Sequence, residues 1–120
     1  MKIHVVWQQA ISLIDGEPQG MIYALGEATV PDGPGVYVFA RRFGESVSPL
    51  YIGQALNLAT RIPQQLNNVK LMKGIQNSQI GGRILLVGRL SPSKGLRTGK
   101  ALTVLENALI ERALSNDSEL

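Results

Sequence analysis

The sequence predicts a small α+β fold: a central mixed or antiparallel sheet of about three core strands, flanked by helices, with an extra pair of strands at the N-terminus. Three observations lead there. Short alternating apolar segments, GVYVFARR above all, are bounded by Gly, Pro and Asp. Leu102, Leu105, Leu109 and Ala113 recur at helical spacing near the C-terminus. The elements run strands, helices, strand, helix, without the regular alternation of a doubly wound sheet.

Taken in order, KIHVVWQ alternates and reads as a first strand, DGEPQG as a turn, and MIYAL as a second short strand before the loop GEATVPDGPG. In GVYVFARR, Val36, Val38 and Ala40 face one way and Tyr37 and Phe39 the other. FGESVSP reads as a loop and PLYIG as the next strand, and the short connection makes the two an antiparallel hairpin. Asn57 can cap a helix through LATRI, in which Pro63 predicts a kink or a restart with Pro63 in a first turn. A further helix is expected over 69–77. GGRILLVGRL is a third core strand, SPSKGLRTG a basic loop, and Thr98 a cap for the last helix.

At 120 residues, with 44% apolar and 18% charged residues, the chain fits one ordinary globular domain. No apolar run reaches the ~20 residues of a membrane span, and the N-terminus lacks a cleavage-site pattern, so a cytoplasmic location is expected. Cysteine is absent, which removes disulfides, thiolate catalysis and Cys-ligated zinc. The one histidine, His4, lies in a strand-like segment and reads as structural.

Charge is unevenly spread. Residues 61–105 hold eight basic residues and no Asp or Glu, a net +8 within a chain of net +3. Such a stretch favours a polyanionic partner, because each neutralised phosphate releases counterions. Lys94, Arg97 and Lys100 are the cations placed to grip a nucleic-acid backbone, directly before the last helix. No helix presents a set of groove-reading side chains, so sequence specificity is not indicated.

In the last helix, Glu106 has Leu102 and Ile110 one turn either side, whereas Glu111 has Asn107 and Ser115. Glu106 is therefore the acid expected to point into protein, where a carboxylate needs a cation, a hydrogen bond or a metal.

GVY at 35–37, YIG at 51–53, Arg61 ten residues after Tyr51, and LENALI around Glu106 occur in this order, with the strand GRILLVGRL between Arg61 and Glu106. This set resembles the GIY-YIG nuclease superfamily, and YIGQALNLATRI is especially similar to the nuclease domain of the excision-repair incision subunits. The resemblance spans residues 33–114. It divides the chain into an N-terminal extension, 1–32, packing on a nuclease-like domain, 33–120, within a single domain overall.

What the resemblance implies is a metal-dependent endonuclease that hydrolyses DNA phosphodiesters. Tyr37 and Tyr51 would lie side by side near the attacking water, and Tyr37, or a metal-bound hydroxide beside it, would accept the proton. A phenol has an ordinary pKa of about 10, so nearby positive charge must lower it or the tyrosine only orients water. Arg61 would stabilise charge on the phosphoryl oxygens. Glu106 would hold one Mg²⁺ or Mn²⁺. Gly35 and Gly53 would allow close backbone approach. The chain differs from many members in having Gln54 in place of Lys after YIG, Gln65 in place of His or Tyr four residues beyond the Arg, and no Asn some fifteen residues after the Glu. Two other readings stand beside the nuclease: a nucleic-acid-binding module of the same fold, and a protein-interaction domain whose N-terminal strands join a partner's sheet. DNA is the expected partner, with RNA left open and no membrane.

Overall fold

A computed structural model describes residues 3–78, 80–91 and 97–118, with side chains through residue 113 in the last helix. Along the chain come β1 (Val5–Trp7), β2 (Ile11–Ser12), β3 (Ile14–Asp15), a 3-10 turn (Glu17–Gln19), β4 (Tyr23–Ala24), β5 (Gly35–Phe43) and β6 (Ser46–Ala55). They are followed by α1 (Leu58–Leu66), α2 (Val69–Gln76), β7 (Gly82–Leu90) and α3 (Thr98–Ser118). The main sheet has the order β1-β7-β5-β6, with β2 also on β7, and every pairing in it is antiparallel. The fold is α+β.

The β5–β6 hairpin is its centre. Phe43 pairs with Ser46 across a two-residue loop whose first residue, Gly44, has φ 61°. That is the pattern of a type II′ turn, whose twist matches the flanking strands. Because Gly44 supplies this turn, both strands run through the segment expected to be a loop, FGESVSP. Farther along, Phe39 pairs with Tyr51 but Ala40 with Pro49, which leaves Leu50 as an extra residue and forms a bulge.

The two faces of the sheet bury different elements. Tyr37, Phe39, Leu85 and Val87 face α1 and α2, meeting Leu58, Ile62, Leu66, Met72 and Ile75. Val36 faces α3, meeting Ala101 and Leu102, with Leu90 beside it. Phe39, Leu58, Ile62 and Leu85 are wholly buried, and each such side chain stabilises the fold by roughly 2 kcal/mol. Residues before β5, including Leu13, Ile22, Tyr23 and Leu25, pack against the same α1–α2 core.

Both short helices begin on asparagine caps. Asn57 accepts from the Ala59 amide and Asn68 from the Leu71 amide, each at 3.1 Å. Arg83 closes the far end of α2, its guanidinium donating to the carbonyls of Ile75 at 2.8 Å, Ser78 at 3.0 Å and Gly81. It satisfies acceptors that a helix C-terminus leaves open.

Three sequence expectations need correction. The N-terminal segments do not pair with each other: β1 extends the main sheet on β7, while β4 pairs with β3 in a separate two-stranded sheet. Of the kink or restart expected at Pro63, the restart does not occur: helix α1 runs from Leu58 to Leu66 with Pro63 inside. Proline costs a helix about 3 kcal/mol, and burial of Leu58, Ile62 and Leu66 offsets it. Thr98 is the first residue of α3 and not a residue outside it. Among the described residues no helix is long and apolar enough to cross a membrane.

Candidate functional site

Tyr37 lies opposite Gly53 in the hairpin, and this pairing shapes the site. A Cβ at position 53 would sit 2.5 Å from the Tyr37 hydroxyl oxygen and overlap the ring, so only glycine lets the phenol cross beneath β6. Gly35 serves a comparable purpose: a Cβ there would meet the Gly88 carbonyl and lie 2.6 Å from Leu58. Tyr51, on the same side of β6 as Gly53, stacks on Tyr37 with ring centroids 6.2 Å apart and planes at 29°. The edge of Phe39 meets the other side of Tyr37, at 6.0 Å and 78°.

Helix α1 supplies the polar partners. Arg61 and Gln65 stand four residues apart, on one helix face. Gln65 Nε2 donates to the Tyr37 hydroxyl at 2.7 Å, and Arg61 lies near enough for its charge to act on the phenol. Burial pushes the Tyr37 pKa above its ordinary value. The Gln65 hydrogen bond opposes this, the Tyr51 phenol adds to it, and the Arg61 charge opposes it. The rise that remains keeps Tyr37 neutral at physiological pH. With its oxygen accepting from Gln65, the phenol keeps its proton, and its O–H is shared with the neighbouring Tyr51 hydroxyl, a contact that adds to the rise. Tyr37 is 2% exposed and Tyr51 37%, so an incoming molecule meets Tyr51 first.

Glu106 belongs to a second cluster. It is half-buried, whereas Glu111 is exposed. Gln54 Nε2 donates to Glu106 Oε2 at 2.7 Å and reaches the Thr103 hydroxyl at 3.5 Å. Gln54 pairs with Val36, on the α3 face of the sheet, whereas Tyr51 and Gly53 lie on the α1–α2 face. The four residues Tyr37, Tyr51, Arg61 and Glu106 therefore do not share one face. They gather as two clusters on either side of β6, which is the edge strand, so a ligand touching both must wrap that edge.

Among the described residues no three His, Cys, Asp or Glu side chains come together. Around Glu106 the hard oxygens of the type Mg²⁺ prefers are its own carboxylate and the Thr103 hydroxyl, while Gln54 presents its NH₂ to both. A single carboxylate with one hydroxyl could hold Mg²⁺ only weakly, with water or ligand oxygens completing its shell.

Of the basic residues in 61–105, Arg61, Lys70, Lys73, Arg89, Arg97 and Lys100 are exposed, as are Arg42 and Arg112 outside that segment. Arg83 is committed to helix α2 through several of its donors, whereas Arg41 spends one N–H on the Ile80 carbonyl at 2.7 Å. Lys94 lies outside the described residues. Sequence reasoning missed Thr103, for which the signal was present: it stands one helical turn from Glu106. It also missed Asn68, whose capping role follows from its place before VKLMKGI.

No family model, no characterised protein and no solved structure matches the chain.

Proposed function

We propose that this chain is a metal-assisted endonuclease of the GIY-YIG type acting on DNA, with Tyr37, Tyr51 and Arg61 on one side of the edge strand β6 and Glu106 on the other, both reached by a substrate that wraps the edge. The observation that carries this reading is the convergence on one phenol, Tyr37, of Tyr51, Arg61 and Gln65 from a strand and a helix. In hydrolysis, water oxygen bonds to phosphorus, the bond from phosphorus to the leaving oxygen breaks, and the water proton passes through solvent to the leaving oxygen. Arg61 neutralises charge on the phosphoryl oxygens. Neutral Tyr37 orients water or donates to an oxygen through its O–H, and Tyr51 meets the backbone from the solvent side. Bound at Glu106, Mg²⁺ would supply withdrawal of charge from the leaving oxygen. Gln54 holds the Glu106 carboxylate in place.

The test is cleavage of supercoiled plasmid and of a flapped duplex with Mg²⁺ or Mn²⁺. Cutting that requires metal and disappears in Glu106→Gln and in Arg61→Ala supports the reading; no cutting by the unmodified chain overturns it. A second reading, a DNA-binding module without turnover, is favoured by the retained Tyr37 proton and by the hydrogen bond that already occupies Glu106. Metal-independent DNA binding without cleavage would select it.

A further inference from the structure

Beside the Tyr51 side of the hairpin lies an open cavity of about 440 Å³, lined by Leu50, Asn68, Lys70, Leu71, Gly74 and Ile75. From this cavity we propose a pocket for an unpaired nucleobase next to the phosphate-binding cluster. The inference rests on the nuclease reading and extends it to the kind of DNA recognised.

Four features of the cavity agree with such an occupant. Its walls are aliphatic, from Leu50, Leu71 and Ile75, as a flat apolar ring requires. The bulge sets Leu50 and Tyr51 on the same face as consecutive residues, so the cavity adjoins the phenol that meets a DNA backbone. Lys70 is exposed on the cavity wall, where its ammonium suits the phosphate of the displaced nucleotide. The Asn68 side-chain oxygen is spent on the Leu71 amide, which leaves its NH₂ to donate to a base carbonyl or ring nitrogen.

Gly74 gives the most specific indication. It sits within α2, where glycine is less favourable than alanine, yet a Cβ there would have no neighbour within 4 Å. The chain's own packing therefore does not require glycine at this position. What the missing side chain does is keep the cavity wall flat and open.

The experiment compares two duplexes that differ only by one extrahelical 2-aminopurine, with binding measured at fixed salt in EDTA, which prevents cleavage. The chain should bind the bulged duplex on the order of tenfold more tightly than the paired one. Fluorescence of the 2-aminopurine should rise, since the pocket offers aliphatic walls and no aromatic stack. In Gly74→Leu, which fills the cavity, both effects should vanish while paired-duplex affinity stays the same. Its thermal midpoint should be no lower than that of the unmodified chain, so loss of folding is separately read. Gly74→Ala, smaller in volume, should keep the preference. Equal affinity for the two duplexes, or a preference that persists in folded Gly74→Leu, overturns the pocket alone. Failure to bind either duplex overturns it together with the nuclease reading. Preference without cleavage when metal is restored upholds the pocket and removes only the nuclease.

Discussion

Gln65 in α1 donates a 2.7 Å hydrogen bond to the hydroxyl of Tyr37 in β5, tying the last turn of that helix to the buried phenol of the sheet. Removing that donor leaves a nearly inaccessible oxygen without its partner. Gln65→Leu should therefore lower stability by about 1–2 kcal/mol in denaturant titration. Because the bond opposes the rise in the Tyr37 pKa, the same variant should shift the latest-titrating phenol still higher by ultraviolet absorbance.

The raised Tyr37 pKa also gives stability a pH dependence of definite sign. Between the unfolded value of about 10 and the higher folded value, the unfolded chain has lost the proton and the folded chain keeps it. This contribution is fully present below pH of about 10 and falls as pH rises through the folded value. Tyr37→Phe should flatten that alkaline decline, read as melting temperature against pH.

Gly53→Ala should be costly, because the added methyl meets the Tyr37 ring and hydroxyl at the hairpin's centre. A loss of about 2–3 kcal/mol is expected. In a double-mutant cycle with Tyr37→Val the two losses should be markedly less than additive.

Replacing the amide that binds Glu106 by a carboxylate reverses the sign of the contact. Gln54→Glu should lower the melting temperature at neutral pH through repulsion, with recovery on acidification once one acid of the pair is protonated. Millimolar Mg²⁺ should restore stability to this variant more than to the unmodified chain, a calorimetric readout independent of cleavage.

Arg61 and Arg83 should behave differently although both lie in the basic segment. Arg83→Ala removes the donors that close α2 and should cost about 2–3 kcal/mol of stability, with the salt dependence of DNA binding unchanged. Arg61→Ala should leave stability nearly intact and reduce the slope of log affinity against log salt by about 0.9.

The sequence discloses some of this arrangement and conceals the rest for physical reasons. Alternation in GVYVFARR separates Val36 from Tyr37 because a strand has only two faces, and both here are buried under different helices. The depth of Glu106 follows from its apolar neighbours one turn away. The bond from Gln65 to Tyr37 has no local signal, since it joins residues 28 positions apart whose meeting depends on how α1 docks. Pro63 misleads because helix propensity is local, while the burial that overrides it is tertiary. β2 and β3, with two residues each, are too short for alternation to register and form only where β7 and β4 offer partners. The division of the site across β6 was equally hidden, because a motif gives the order of residues and no sheet face.

The bulge at Leu50 acts as a parity switch. Counting back from the Gly44–Glu45 turn, an uninterrupted ladder would set Leu50 against Phe39 and Tyr51 against Val38. Tyr51 would then look toward α3, and Gln54 would look toward α1. One inserted residue exchanges odd for even, bringing the phenol under Arg61's helix and the amide to Glu106. Which chemistry appears on which side of this sheet is thus decided by chain length between turn and site, and a single-residue deletion there would invert both sides while altering no functional group.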